Sequence, residues 1–239
     1  MVLNNLNRWQ AFGIHLGISL VIFIVLLGLI VFSWYPGVFF NFGGMQGIKI
    51  VAGVDLVLGP MLTLIVYNAA KKSLKMDLAI IALIQISALT YGVWTVHQQR
   101  PYAQVLSYDG LHILTAGDFS YYDIELATSF SADNPSIPVK AYLDLPRDEI
   151  QINQIAFTSE FVEKVPLALR VDLYLSVENP PTDGLNFLLA KYSFEETQQC
   201  LRLPVVSTYY AGDGCFNSND GTFELLEPDP SADKALIDG

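Results

Sequence analysis

The 239-residue sequence predicts a membrane protein with three transmembrane α-helices followed by a periplasmic α+β domain. Three observations carry that prediction. Apolar runs of spanning length crowd the first hundred residues, lysines gather in one of the two connections between them, and acidic side chains dominate the remainder. Up to Val96 five basic residues face two acidic ones, and beyond it eight face twenty-two, so a net +3 gives way to −14. A domain that acidic repels nucleic acid and anionic headgroups, and nucleic acid is not expected as a partner.

A spanning helix needs about 20 predominantly apolar residues at 1.5 Å rise each. Three runs meet that length, at about 13–35, 48–67 and 78–96. The first is too long for a signal-peptide core and lacks a small-x-small cleavage site, so it is expected to be retained. Trp9, Trp34, Tyr35, Tyr67, Tyr91 and Trp94 lie near the ends of these runs, where amphipathic rings prefer the interface. Lys71, Lys72 and Lys75 all fall in the second connection, whereas the first, Pro36 to Gly47, carries no charge. Positive loops stay cytoplasmic, so the N-terminus is placed inside and everything after His97 outside. The expected location is the bacterial inner membrane, with the 98–226 domain in the periplasm and residues 1–97 as the anchor.

In the outer part, Tyr102 to Ser107 and Leu111 to Thr115 flank Asp109-Gly110, a hairpin signal because Asp-Gly tolerates positive φ. Asp133 to Pro138 reads as a loop and Val139 to Leu143 as a strand. Pro146 opens a helix running to about Phe157, and a further helix spans Ser159 to Lys164. Leu167 to Val177 reads as strand or helix. Leu185 to Lys191 and Phe194 to Arg202 read as helices and Pro204 to Tyr210 as a strand. Asp213-Gly214 and Asp220-Gly221 read as turns and Phe223 to Leu226 as a last strand. The proline-rich, acidic tail 227–239 is expected to be disordered. Cys200 and Cys215 both fall in the outer part, where an oxidising compartment permits a bridge contributing about 3 kcal/mol. The alternative is two unpaired buried thiols.

Catalytic signals are missing from this sequence. His15, His97 and His112 are not spaced as a metal pair, and no nucleophile elbow, phosphate-binding glycine loop or dinucleotide fingerprint is present. No metal, no cofactor and no catalytic residue is expected, and the chain reads as a non-enzyme. Asp148/Glu149 and Glu195/Glu196 fit first-turn helix acids better than an acid–base pair. Gly13 and Gly17 form a G-x-x-x-G compatible with a close helix contact.

Asp55 stands apart. An acid within a span costs about 2.5–3.5 kcal/mol on insertion scales, so it should face protein and have a partner. With the second helix entering near Ile48, Asp55 is expected roughly 10 Å below the outer surface, where Ser87, Thr90 and Tyr91 of the third helix lie at comparable depth and Gln85 slightly deeper. Pro60 removes the backbone donor that the Leu56 carbonyl would use, and Gly59 makes room for the bend or for another helix. Asp55, Gly59, Pro60, Gln85, Ser87, Thr90 and Tyr91 are therefore read together as an intramembrane polar notch, either fastening the three-helix packing or contacting a partner helix.

Three blocks also carry a family resemblance. They are Arg8 to Leu16 (RWQAFGIHL), Val51 to Pro60 (VAGVDLVLGP), and Tyr91 to Val96 (YGVWTV) followed by Gln98-Gln99-Arg100-Pro101. Over its first hundred residues the chain resembles type IV pilin accessory proteins of the TfpX/TfpZ kind. The resemblance implies a non-enzymatic inner-membrane protein that helps a cognate major type IV pilin assemble, as chaperone or as modulator of assembly and retraction, with consequences for twitching motility. The pilin, other pilus machinery and the lipid bilayer are the implied partners. The competing reading is a membrane-anchored sensor or a proton-coupled transporter subunit that uses Asp55.

Overall fold

A computed structural model describes residues 6–71, 73–126, 138–177, 180–195, 200–217 and 222–226. The chain divides into two compact units, Met1–Arg100 and Pro101–Gly239.

The first unit holds three helices long and apolar enough to cross a membrane, α1 (Arg8–Trp34), α2 (Gly44–Val66) and α3 (Leu74–Gln98). Each begins a few residues earlier than the apolar run alone predicts, and in α1 a polar cap builds the added turn. Asn7 caps α1 by accepting from the Gln10 backbone N–H (2.8 Å), and the Gln10 side chain accepts from the Asn7 N–H (2.9 Å). The helix ends at Tyr35, which leaves the helical region ahead of Pro36 because a residue before proline is disfavoured there. Gly43, with φ at +124°, then turns the chain into α2, a conformation that favours glycine. Within α2 the backbone widens to a π-helix over Gly53–Leu58 before returning to α-helix at Gly59–Val66. The widened turn lies just ahead of Pro60, which has no N–H to give the regular ladder.

Both α1 and α3 pack chiefly against α2. Two apolar clusters hold the ends of the unit. One joins Ile30, Tyr35, Val51 and Val96, with the Tyr35 hydroxyl donating to the Val96 carbonyl (2.9 Å). The other joins Ala11, Tyr67 and Leu74. Gly47 faces Val96 so closely that a Cβ would lie 2.7 Å from a Val96 methyl, so the glycine sets the approach of α2 to α3. By contrast, a Cβ at Gly13 or Gly17 would meet nothing within 4 Å, so this G-x-x-x-G makes no close helix contact within the chain.

The second unit is a mixed sheet with helices. Among the described residues eight strands form one sheet: β1 (Pro101–Ser107), β2 (Gly110–Thr115), β3 (Val139–Leu143), β4 (Tyr174–Ser176), β5 (Phe194–Glu195), β6 (Cys200–Val206), β7 (Ala211–Asn217) and β8 (Thr222–Leu225). They run in the order β4-β3-β1-β2-β6-β7-β8, with β5 also on β6. β1 pairs with β3, and β2 with β6, in parallel, while the remaining pairs are antiparallel. Gly110 turns the β1–β2 hairpin at φ +142°. His112 bonds Asp109 across that turn (2.9 Å). Burial pushes the Asp109 carboxyl up, but the hydrogen bond and charge of His112, together with hydrogen bonds from Ser107 and the backbone, leave the group below its ordinary value. Helix α4 (Ala116–Tyr121) follows β2, α5 (Glu149–Phe157) follows β3, and α6 (Thr182–Lys191) follows β4. Ala103, Val105, Ala141 and Leu143, on one face of the paired strands β1 and β3, pack with Phe119, Ile152, Leu169 and Tyr174 to form the core.

Several expectations need correction. Phe194 to Arg202 is not a helix: Phe194–Glu195 and Cys200–Val206 are strands, so Glu195 is not in a helical first turn. The apolar alternation of Leu201, Leu203 and Val205 is the strand period, and it buries those three side chains. Asp213-Gly214 is not a turn but lies inside β7, opposite Leu203 and Pro204. Leu167 to Val177 is neither wholly strand nor helix. It makes 3₁₀ turns at Leu167–Leu169 and Val171–Leu173 and then β4. The two helices expected from Pro146 to Lys164 form one continuous element, α5 running into a π-turn at Thr158–Glu163. Residues 133–137 of the expected loop, the Asp220-Gly221 turn and the 227–239 tail lie outside the described residues.

Cys200 on β6 and Cys215 on β7 form a disulfide, with Cα atoms 5.4 Å apart and a sequence separation of 15. Closing a loop of that length constrains the unfolded chain. Replacing both cysteines by serine is expected to lower the stability of the mixed-sheet unit by about 3 kcal/mol. Denaturant midpoints followed by near-ultraviolet circular dichroism measure this, and an unchanged midpoint would contradict it.

Candidate functional site

The first unit buries polar side chains where its helices are otherwise apolar. Ser19, Asp55 and Gln85 are each the twelfth residue of their helix, counted from Arg8, Gly44 and Leu74. Asp55 therefore lies about halfway along α2, roughly 17 Å from its start. That is farther from the helix start than expected, because α2 begins at Gly44 rather than near Ile48.

Asp55 is 1% exposed, and one carboxylate oxygen, Oδ1, receives two hydrogen bonds. The Ser19 hydroxyl donates at 3.0 Å and the Gln85 amide N–H at 3.0 Å, with the same amide 3.5 Å from Ser19 Oγ. A second polar group lies nearby along α1 and α2, where His15 Nδ1 and Thr63 Oγ1 are 2.6 Å apart. The Thr63 hydroxyl donates to the Gly59 carbonyl at 3.2 Å, so its oxygen is left to accept and His15 to donate. Asp55 Oδ2 and Gln85 Oε1 are buried without a hydrogen-bond partner among the described residues.

Of the residues expected at the notch, the structure brings together Asp55, Gly59 and Gln85. Gly59 does make room, but for the Gln85 amide: a Cβ there would overlap its oxygen, carbon and nitrogen. Pro60 is buried at the start of the α-helical half of α2. Ser87, Thr90 and Tyr91 are exposed on α3 and are not partners of Asp55, a correction to the expectation. Gln85 faces α2, and at 3.6 residues per turn positions two, five and six further on point elsewhere. Ser19, His15 and Thr63 are polar members that sequence reasoning missed. Their signal was present, since each is a polar side chain inside an apolar run, but which way α1 is rotated is a property of the packing.

These side chains line a groove of about 560 Å³ between α1 and α3, with α2 as its floor. Asp55 and Thr63 lie at the floor, with Ser19 buried beside them, and Ile14, Ile18, Ile22 and Ile86 form partly exposed apolar lips. Among the described residues no cluster of three potential metal ligands occurs. On the mixed-sheet unit, Ile150, Phe157, Phe161 and Val162 form an exposed apolar row, in which Phe157 and Phe161 stack at 4.9 Å.

The fold and site define a chain with three helices able to cross a membrane, carrying a buried carboxyl in an open apolar groove and joined to a mixed-sheet unit. No family profile matches it, and no solved structure does. Curated relatives do. The chain is 38% identical over 109 residues to a fimbrial assembly protein, serogroups C1 and C2, of Dichelobacter nodosus, an alignment covering 44% of this chain and 83% of that protein. It is 38% and 37% identical over 109 residues to the fimbrial assembly proteins of serogroups E1 and I of the same organism, spanning 42% of the length of each. The chain belongs to the family of fimbrial assembly proteins.

The geometry makes Gly59 the most sensitive position of the cluster. Gly59→Ala is expected to displace Gln85, strand the Asp55 carboxyl and destabilise the helical unit by about 1–3 kcal/mol. Gly13→Ala, with open space around its Cβ, is expected to be neutral or better. Thermal unfolding of the full chain in detergent compares the two, and equal midpoints would contradict the packing described.

Proposed function

We propose that the protein is a non-enzymatic accessory protein of type IV pilus assembly in the inner membrane, and that the groove between α1 and α3 receives the spanning helix of a cognate pilin. Family membership supports the process, because the relatives are named for fimbrial assembly. One structural observation carries the site: a fully buried carboxyl, half satisfied, at the midpoint of α2 on the floor of a groove whose lips are apolar. A buried acid that served only to fasten three helices would not need a groove beside it.

A pilin awaiting assembly needs its apolar helix shielded and its head kept from premature contacts. In this reading the three helices span the bilayer, the lysine-bearing connection faces the cytoplasm, and the mixed-sheet unit stands in the periplasm. The disulfide and the acidic surface suit that compartment. The exposed row from Ile150 to Val162 is suited to the pilin's globular head. Held this way, the pilin is handed on to the assembly machinery, and twitching motility depends on the handover. The proton-relay reading gains a second ionisable side chain in His15, but that imidazole bonds Thr63 and not Asp55. A proton-coupled flux that collapses in Asp55→Asn would favour it.

Deleting the gene alone is expected to reduce surface pilin, and Asp55→Ala at equal protein level to reduce both piliation and co-purification with the pilin. The comparison is made with and without the retraction motor, which separates assembly from retraction. Unchanged piliation in every strain would overturn the proposal.

A further inference from the structure

The groove's hydrogen-bonding chemistry is one-sided. The donors around the carboxyl are committed inward: the Ser19 hydroxyl and the Gln85 amide both turn to Asp55 Oδ1, and farther along the floor the Thr63 hydroxyl turns to the Gly59 carbonyl. Around the carboxyl two buried oxygens are left over, Asp55 Oδ2 and Gln85 Oε1, both without a partner among the described residues. A buried acceptor left unsatisfied costs about 1–3 kcal/mol, a cost that a mere fastener with no spare acceptor would not carry. The arrangement is that of a half-made contact.

The walls say what shape completes it. Ile14, Ile18 and Ile22 recur every four residues along α1, and Ile86 and Leu89 face them from α3. Such a trough, with apolar lips along its length and polar side chains only along its floor, matches another helix and not a compact polar solute. From this we infer that the groove selects its occupant by a hydrogen-bond donor: the partner is a single apolar spanning helix, from a different protein, that carries an N–H or O–H side chain at mid-depth. Asp55 Oδ2 and Gln85 Oε1 receive that donor, and Gly59 matters because it leaves the room in which the Gln85 amide lies. Helices with the donor a turn away, or with none, place apolar atoms against two bare acceptors and are rejected. This selection rests on the docking reading above and adds to it the chemistry by which one helix is told from another.

The test uses the full chain in lipid bilayers and a designed Leu/Ala spanning peptide, about 23 residues long, as probe. One Asn is walked through the peptide's positions, with an all-apolar peptide as reference, and association is measured by energy transfer. Mid-span Asn is expected to strengthen association roughly three- to fifteen-fold, the strength of single hydrogen bonds between helices in bilayers. The gain should vanish when Asn moves a full turn either way, and in Asp55→Leu and Gln85→Leu. The walk is done on the unaltered protein, so it does not depend on how the variants fold. Equal association for all peptides, or a gain independent of Asn position, would overturn the inference. So would self-association of the chain that is lost in Ser87→Ala, which would assign the donor to a second copy. Failure here with piliation still dependent on the gene would sink only the donor selection, whereas unchanged piliation with a clear donor preference would sink only the pilus role.

Discussion

The helical unit depends on how the Asp55 carboxyl is held. A carboxyl in the middle of three apolar helices is tolerable only if other groups replace the water it has lost. Ser19 from α1 and Gln85 from α3 do so, both at 3.0 Å and both on the same oxygen. This draws one residue from each helix to a single point and thereby fixes the rotation of all three. The apolar clusters at the two ends contribute cohesion, yet apolar contact is nearly indifferent to rotation, whereas a hydrogen bond is directional. The register of α1 and α3 against α2 is therefore set where the polar atoms meet.

From that point the other irregularities of α2 follow. Gln85 reaches the carboxyl only because Gly59 has no side chain, and the helix spares its backbone ladder at Pro60 by widening over Gly53–Leu58. The π-turn also carries Asp55 itself, so the residue that needs partners sits on the segment of backbone that is least regular. A wider turn shifts the faces of the helix on either side of it, which puts Asp55 beside Ser19 and Thr63 beside His15 along one groove. Polar floor and apolar lips are then two consequences of one packing arrangement.

Length and hydropathy made the three helices legible, and the Asp-Gly pair with its flanking alternation made the β1–β2 hairpin legible. Asp55 and Gly59 were readable as misfits in an apolar run. Their partners were harder, because depth was counted from Ile48 and the helix starts at Gly44, and because sequence spacing does not say how α1 and α3 are rotated. Hence Gln85 is legible as a partner, Ser87, Thr90 and Tyr91 share its apparent depth but not its face, and Ser19, His15 and Thr63 do not stand out by spacing alone. In the mixed-sheet unit, Phe194 to Arg202 misled because its charged start resembles a helix N-terminus, while pairing with β7 and the disulfide decide in favour of strands. Asp213-Gly214 misled for a related reason, since a local turn signal was overruled by a ladder formed with distant residues.

The central claim is that the face between α1 and α3 is where a pilin helix lies. Site-specific photocrosslinking in cells tests this most directly, with a benzophenone side chain placed at Ile18 or Ile86 on the groove lips and, as controls, at Ile24 or Ile84, which are exposed but outside the groove. The account predicts crosslinks to the cognate pilin from Ile18 and Ile86, confined to one face of the pilin helix, and none from Ile24 or Ile84. Crosslinks of equal yield from all four positions, or from the two controls alone, would contradict it.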